Sequence, residues 1–335
     1  EFRNKNYEIH PENEELKKEY KEHMQLLFNA YGNLVDAGIN VEDARFMLPY
    51  SYHSNIIMGL DARELERITI SMLYGKLSKI SELKELGEKL LELIKKYVPY
   101  LTKNIESQEE NTQDPFEYMQ SISKRPETKI LEHPILTSYT PDADEVVLTS
   151  SIMYHYQCTK EEAKTILKSM EKKDEKCREK MMQIILKKEE KRELEQVNFQ
   201  FQIPISLSIL THLTRHRMHS LLVPEFTPLW DFKNYVVPES IKKVAEKEYR
   251  NIIEINRKKM EEFKQRGIVE EDLIYFYLGA QMCHVVTTMN ARNVQWISRL
   301  RCCNKAQWQI RYIAKNMVKQ VKEVAPLIGM GLGST

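Results

Sequence analysis

The amino-acid sequence predicts an α+β protein in which long helices surround a small mixed sheet. Two highly charged amphipathic segments, residues 14–37 and 239–267, end at Gly38 and Gly267, and glycine is the residue that most often closes a helix. Residues 197–203 instead alternate apolar and polar side chains, which is the period of a half-buried strand. The chain is 42% hydrophobic and has only 10 Gly and 12 Pro among 335 residues, as is typical of a helix-rich globular protein.

Two further segments complete the expected secondary structure of the middle of the chain. Residues 159–195 are predicted to form a charged helical tract that is broken once, with its Lys and Glu runs on a solvated face. The apolar run at residues 145–148 is predicted to be a short strand. We therefore expect few strands and a fold dominated by helices.

The overall composition excludes several classes of protein. The chain carries 50 Lys and Arg against 49 Asp and Glu, so no global field favours a nucleic-acid partner. The five cysteines form no Cys-x-x-Cys pair, which argues against a disulfide framework or a metal site. The sequence contains neither an apolar run of transmembrane length nor a signal peptide. We expect a cytoplasmic protein with reduced thiols and no membrane partner.

Three segments of the first hundred residues recur later in the chain at a nearly constant separation of 227 to 229 positions. The matched segments are Phe2–Glu12 with Phe232–Glu239, Gly38–Asp43 with Gly267–Asp272, and Asp61–Leu65 with Asn290–Val294. This register predicts a tandem duplication with three parts. Residues 1–103 are the back part of a degenerate first repeat, 104–127 are a polar linker, and 128–335 are a complete second repeat. Because the sequence begins at Glu1 rather than Met, we expect that the front of the first repeat lies upstream.

The three residues Arg215-His216-Arg217 follow directly on the apolar segment 199–214. Two guanidinium groups at the end of a buried segment are costly unless an anion such as a phosphate lies against them. Cations at the end of a helix also stabilise its C-terminus without any ligand. The residues themselves leave both interpretations open.

A second cluster lies in the predicted C-terminal helix. Asn290, Val294, Ile297 and Arg301 fall on one stripe, because eleven residues advance a helix by about three turns. Arg301 at the end of this stripe either belongs to a site or pairs with a carboxylate at a subunit contact. The tryptophans of this region, Trp296 and Trp308, are expected to be core or interface anchors.

In combination, these motifs resemble the flavin-dependent thymidylate synthase family, also called the thymidylate synthase complementing proteins. The residues that carry the resemblance are Arg215-His216-Arg217 with Ser220, Asn290-Ala291-Arg292, Leu300-Arg301 and the run Ala306-Gln307-Trp308-Gln309-Ile310-Arg311. The family implies an α+β fold, FAD held at subunit interfaces, and reductive methylation of dUMP to dTMP with NADPH and methylenetetrahydrofolate. Its members are typically homotetramers, so a duplicated chain should form a homodimer that acts as a pseudo-tetramer.

The resemblance also implies roles for individual residues. The residues expected to contact FAD are Arg215, His216, Arg217, Asn290 and Arg292. Those expected to bind dUMP are His212, Arg215, Ser220, Arg45 and Arg301. Arg301 is the implied catalytic residue, because a fixed guanidinium beside the pyrimidine stabilises the negative charge that develops on the ring.

The sequence departs from the family pattern at several of these positions. Residues 221–228 lack the family's nucleotide-binding Ser and Arg, and Gln196 stands where the family has a flavin-contacting His. Trp296 and Lys305 replace an Asn and a His of the last helix. These losses favour an alternative: a catalytically inactive paralogue that keeps the fold and serves as a structural or regulatory protein.

The two repeats have lost different residues. The family's second nucleotide arginine is Ile274 in the second repeat but is kept as Arg45 in the first, whereas Met72 occupies the first-repeat position of Arg301. We hypothesise one composite pocket built from Arg45, Arg215 and Arg301, and a reciprocal pocket that is inactive. The hypothesis requires Arg45 and Arg301 to lie within about 15 Å of each other, so that both reach one nucleotide.

Overall fold

The computed structural model describes residues 14–109, 115–124, 130–224 and 234–334. Its sheet has four strands, β1 Ile135–Tyr139, β2 Asn198–Ser206, β3 Ser220–Leu222 and β4 Met282–Asn290, in the order β1-β2-β4-β3. Every strand pairing is antiparallel. The α+β class is therefore confirmed, but the sheet is antiparallel rather than mixed.

The long ladder between β2 and β4 is the centre of the sheet. It runs from Asn198 opposite Asn290 to Ser206 opposite Met282. Along β2 the side chains of Phe199, Phe201 and Ile203 are fully buried, which confirms the strand predicted from their alternation.

Helices make up most of the rest. They are α1 Glu14–Asp36, α2 Val41–Ala44, α3 Ala62–Leu73, α4 Ser81–Tyr97, α5 Thr102–Glu106, α6 Pro115–Ile122, α7 Ala143–Tyr156, α8 Lys160–Lys173, α9 Cys177–Lys187, α10 Leu207–Thr214, α11 Glu239–Val244, α12 Glu246–Gln265, α13 Ala291–Arg301, α14 Trp308–Val324 and α15 Pro326–Gly329. Within the described residues, five short 3-10 helices complete the elements: Arg45–Met47, Lys76–Lys79, Pro99–Leu101, Arg192–Gln196 and Asp272–Phe276. None of the described helices is both long enough and apolar enough to cross a membrane.

The predicted helix ends are confirmed at both glycines. Gly38 and Gly267 have φ of 83° and 87°, the left-handed region that a residue without Cβ adopts at little cost. The segment after Pro238 is interrupted once, between α11 and α12.

Two other predictions about secondary structure were wrong. Residues 145–148 lie inside α7, because a short apolar run has no period that separates a strand from a buried helix. The tract at 159–195 is broken twice, after α8 and after α9, before it ends in the 3-10 helix at 192–196. The predicted linker, residues 104–127, overlaps the end of α5 and contains α6. The repeat segments Phe2–Glu12 and Phe232–Lys233 lie outside the described residues.

Residues 16–48 join the core of the second half of the chain, whereas α3, α4 and α5 pack mainly against one another, and their buried residues Met72, Ile94 and Ile105 lie outside that core. Helix α1 lies against α12, and an isolated bridge joins Pro49 to Leu278. At this bridge the N–H of Tyr50 donates to the carbonyl of Tyr277 (2.9 Å), and the N–H of Gly279 donates to that of Leu48 (3.0 Å). The two bridged residues, Pro49 and Leu278, are 229 positions apart, which is the separation of the repeated segments.

Candidate anion and cofactor site

The C-terminal end of α10 is the centre of the candidate site. Leu207, Ile209, Leu210 and Leu213 anchor this helix in the core, which leaves His212 on its half-buried side. The helix ends at Arg215, and the chain then turns through His216 and Arg217 toward β3. The motif is thus held by a buried helix on one side and a strand on the other.

Arg45 and Arg301 approach this point from opposite halves of the chain. Arg45 Nη2 donates to His212 Nε2 at 3.0 Å. Arg301 Nη2 donates to the His212 carbonyl oxygen at 3.0 Å, and its Nε donates to His216 Nε2 at 2.9 Å. Both arginines therefore contact one histidine, as the hypothesis of a composite pocket requires.

The histidines of this cluster are neutral at pH 7. Burial, with Arg45 and the other neighbouring guanidinium groups, lowers the pKa of His212 to about 4. Burial and Arg301 lower the pKa of His216 to about 4. Because arginine can only donate, both Nε2 atoms are acceptors and the protons lie on Nδ1. The histidines orient the arginines without adding or neutralising charge.

The cluster has an uncompensated positive charge. Within the described ranges, no carboxylate lies within 4.0 Å of Arg45, Arg215 or Arg301. Arg45 Nε is buried without a hydrogen-bond partner in that part of the chain. Burial, followed by the nearby Arg215, lowers the pKa of Arg301. Arg45 and Arg301 are half-buried and Arg215 is exposed beside them, and guanidinium groups that are partly removed from water without a counter-ion favour an anionic ligand.

A groove of about 780 Å³ adjoins the cluster. Five predicted cofactor residues line it: Arg215, His216, Arg217, Asn290 and Arg292. Its lining holds six cationic side chains, Lys191, Arg192, Arg215, Arg217, Arg292 and Arg299, against two carboxylates, Glu189 and Glu195. The chain as a whole is nearly neutral, so the groove concentrates positive charge locally.

Two of the predicted cofactor residues are already partly occupied. Arg292 Nη1 pairs with Glu195 at 2.5 Å, and this hydrogen bond is the main reason that the pKa of Glu195 is lowered. Asn290 caps α13, where its Oδ1 accepts from the Asn293 N–H at 2.9 Å. Asn290 retains its amide NH₂ as a donor to a ligand, whereas Arg217 has no carboxylate within 4.0 Å in the described ranges.

The remaining predicted residues lie elsewhere. Ser220 is exposed on β3 and pairs with Thr288 of β4, outside the groove lining. Arg45 borders a second groove of about 530 Å³, whose lining shares no residue with that of the first. The cationic cluster therefore borders both grooves, the first through His216 and the second through Arg45.

The reciprocal positions do not form a comparable cluster. Met72 is 5% exposed and packs closely against α4. A Cβ added to Gly87 of that helix would lie only 2.8 Å from the Cβ of Met72. Ile274 is half-buried against the core. Each position lies 229 residues from its cationic counterpart, and both are apolar.

The structure also shows groove residues that the sequence interpretation missed. Lys191 and Arg299 line the groove, and Trp296 is 59% exposed there, so this tryptophan is not a core anchor. Arg292, Trp296 and Arg299 are spaced by four and three residues and therefore share one helix face. This spacing could have indicated that Trp296 and Arg299 line the same groove as Arg292. Lys191 belongs to a run of charged residues, and nothing in that run distinguishes a groove residue from a solvent-exposed one.

An α+β chain with a cationic cluster beside a large basic groove has the characteristics of a protein that binds nucleotides or phosphorylated cofactors. The family model described as thymidylate synthase complementing protein matches residues 2–100 and 135–327. The chain belongs to this family, which confirms the resemblance inferred from its motifs. The two matched stretches lie on either side of the predicted linker.

Several curated relatives are named flavin-dependent thymidylate synthase. The chain is 30% identical to that of Clostridium tetani over 213 residues, which is 57% of this chain and 82% of the relative. It is 32% identical to that of Pyrococcus horikoshii over 146 residues, or 40% of this chain and 60% of the relative. Among solved structures it is similar to a flavin-dependent thymidylate synthase from Helicobacter pylori complexed with FAD and dUMP, with a TM-score of 0.44, 21% identity and coverage of 60% of this chain and 99% of that chain.

Proposed function

We propose that this chain is a flavin-dependent thymidylate synthase that converts dUMP to dTMP by reductive methylation, at one composite site per chain. The observation that carries the proposal is the convergence of Arg45 and Arg301 on His212 with no carboxylate within 4.0 Å in the described ranges. A dianionic phosphate and the carbonyl oxygens of a pyrimidine that takes up negative charge are the ligands that such a cluster favours.

The substrate is dUMP, bound by the residues that surround α10. Arg45, His212 and Arg215 are proposed to hold the nucleotide, and the exposed Ser220 to border it. Because His212 stays neutral, the attraction for phosphate comes from the arginines alone. The affinity for dUMP should therefore change little between pH 7 and 8, where the phosphate is already dianionic.

The cofactor is FAD, and the groove fits it. Its volume of about 780 Å³ falls in the range of small-molecule sites, and Arg215 and Arg217 offer guanidinium groups without a carboxylate partner in the described part of the chain. Asn290 offers its amide donors, His216 borders the groove, and Arg292 contributes its remaining N–H groups while paired with Glu195. When bound, the flavin would supply hydride transfer from NADPH.

Arg301 is the proposed catalytic residue. Its position is fixed by two hydrogen bonds from its guanidinium, to His216 and to the His212 carbonyl. A cation held in this way needs no reorganisation when negative charge develops on the pyrimidine, which lowers the barrier electrostatically. The same hydrogen bonds leave one Nη group of Arg301 for the substrate.

The remaining partners follow from the family. NADPH would supply the reducing equivalents and a reduced folate the one-carbon unit. The assembly is proposed to be a cytoplasmic homodimer in which four repeats form a pseudo-tetramer, and the reciprocal pocket with Met72 and Ile274 is proposed to be inactive.

A second candidate function is a catalytically inactive paralogue that retains ligand binding. The apolar residues Leu221, Leu222 and Val223 favour it, since they stand where the family places polar nucleotide-binding residues. The two candidates differ in turnover and not in binding.

The decisive experiment is titration of the full chain with FAD and with dUMP, followed by a dTMP assay with NADPH and methylenetetrahydrofolate. Flavin absorbance that stays with the protein, dUMP binding that Arg301→Ala weakens about 100-fold, and dTMP formation together support the synthase. Binding of both ligands without dTMP indicates the inactive paralogue. A chain that binds neither FAD nor dUMP would refute both.

A further inference from the structure

One face of α13 carries a row of groove residues, most of which have no role in the function proposed above. Arg292, Trp296 and Arg299 follow each other by about one turn, and all three line the groove. Arg299 precedes Arg301 by two residues, which turns it about 200° around the helix axis. The row therefore points away from the nucleotide cluster.

Lys191 joins this row from the turn before the 3-10 helix at 192–196. Its backbone is left-handed, with φ 48° and ψ 38°, a conformation that costs a non-glycine residue about 1–2 kcal/mol. Its Nζ donates to the carbonyl of Lys188, and the side chain is half-buried at the groove. The fold thus holds this ammonium group next to the α13 row.

The two outer cations have no acidic partner of their own. In the described ranges no carboxylate lies within 4.0 Å of Lys191 or Arg299, whereas Arg192 and Arg292 share Glu195. Burial, then Arg299 and Arg292, lowers the pKa of Lys191, and Glu189 opposes this effect only weakly. Two close cations with no counter-ion favour a phosphate.

The exposed indole beside these cations provides the complementary surface for a base. Trp296 is 59% exposed and lines the groove, so its indole is accessible to a ligand that binds there. Stacking of a nucleic-acid base on an aromatic side chain contributes about 1–3 kcal/mol.

We infer that Trp296, Lys191 and Arg299 form a subsite for the adenine-nucleotide half of the flavin dinucleotide. The adenine stacks on the indole of Trp296, and Lys191 and Arg299 bind the phosphate. The inference rests on the proposed flavin function for the identity of the dinucleotide. It predicts a preference for FAD over FMN, which has no adenine to place on Trp296.

The test is calorimetric titration of the full chain with AMP, FMN and FAD, together with Trp296→Leu and the double variant Lys191→Gln/Arg299→Gln. We expect AMP to bind in competition with FAD, with affinity lowered about tenfold in Trp296→Leu and about 10- to 100-fold in the double variant. FMN and dUMP should bind all variants within about twofold of the unsubstituted chain. The matched control is Arg63→Gln/Lys319→Gln, which removes the same two charges at exposed positions outside the groove.

The outcomes separate the inference from the flavin function. Failure of AMP to bind, simultaneous binding of AMP and FAD, or unchanged AMP affinity in both groove variants would overturn the subsite. Failure of the unsubstituted chain to bind FAD, with AMP still bound and sensitive to the groove variants, would instead remove the flavin proposal and leave the subsite standing.

Discussion

Residues 14–103 and 130–334 use similar elements for different purposes. The first region, like the second, has a long helix ended by a left-handed glycine, a 3-10 turn, and a later helix capped by Asp61 or Asn290. Both caps accept from the backbone N–H three residues on, at 2.9 Å. Among the described residues the four-stranded sheet lies in the second region alone, whereas the cationic cluster takes Arg45 from the first region and Arg301 from the second. The comparison shows that similar helical elements occur both with and without a sheet beside them.

The segments that precede these two helix caps differ in whether neighbouring strands pair with them. In the second region residues 282–290 are β4, paired on both sides by β2 and β3. At the corresponding positions of the first region, residues 53–60 have no regular secondary structure, and Ile57 is fully exposed. An apolar segment becomes a buried strand only where other strands satisfy its backbone and cover its side chains.

The largest expected difference between the regions lies at Arg301 and its counterpart Met72. Arg301→Ala should weaken dUMP binding about 100-fold, because a hydrogen bond to a charged group contributes about 1.5–3 kcal/mol and Arg301 can make more than one. Met72→Leu should leave dUMP binding unchanged, since Met72 is buried against α4. Calorimetric titration measures both, and equal affinities for the two variants would argue against an asymmetric pair of pockets.

The second comparison concerns Arg45 and the corresponding residue of the second region, Ile274. Arg45→Ile should lower dUMP affinity about 10- to 100-fold, because it removes the guanidinium that the first region contributes to His212. Ile274→Arg, added to Arg45→Ile, should not restore binding, since it places the cation at the reciprocal pocket. Recovery of dUMP affinity in the double variant would show that the two pockets are interchangeable.

Asp43 connects the regions directly. Its carboxylate accepts from Trp308 Nε1 at 2.9 Å and from Ser240 Oγ at 2.5 Å. Asp43→Ala should lower the free energy of unfolding by about 1–3 kcal/mol and weaken dUMP binding, because Trp308 stacks on Phe46 beside Arg45. Urea unfolding monitored by tryptophan fluorescence gives the first value. Asp36→Ala, at the exposed end of α1, is the control and should change neither.

The helix-ending glycines should respond alike. Gly38→Ala and Gly267→Ala should each lower the free energy of unfolding by about 1–2 kcal/mol, because both have positive φ and no atom lies within 4 Å of the added Cβ. Thermal or urea unfolding measures the pair. Clearly unequal losses would mean that the two helical frames are not equivalent.

The smallest expected effect concerns pH. The folded pKa values of His212 and His216 are about 4, below the ordinary value of 6.5. As the pH falls from 6.5 toward 4, the unfolded chain takes up protons that the folded chain does not, so the free energy of unfolding decreases over this window. Replacing His212 by Gln should make this decrease shallower, whereas His53→Gln in the first region serves as the control. Identical slopes in unfolding experiments at several pH values would contradict the assignment.

Much of the helical frame could be predicted from the sequence because its signals are local. The glycines at 38 and 267, the alternation in β2, and the stripe from Asn290 to Arg301 each specify an element through a few neighbouring residues. The short run at 145–148 was assigned wrongly because its conformation depends on what it packs against. The duplication and the roles of individual site residues stay predictions.

The sequence by itself determined the family, the helix ends and the inventory of arginines, since motif order and residue type are written along the chain. Only the tertiary structure decided which arginines share a neighbour, because Arg45 and His212 are 167 positions apart and meet only when distant segments of the chain pack together. It also decided that Trp296 faces a groove and that Glu195 occupies Arg292, because exposure and charge pairing depend on distances between segments.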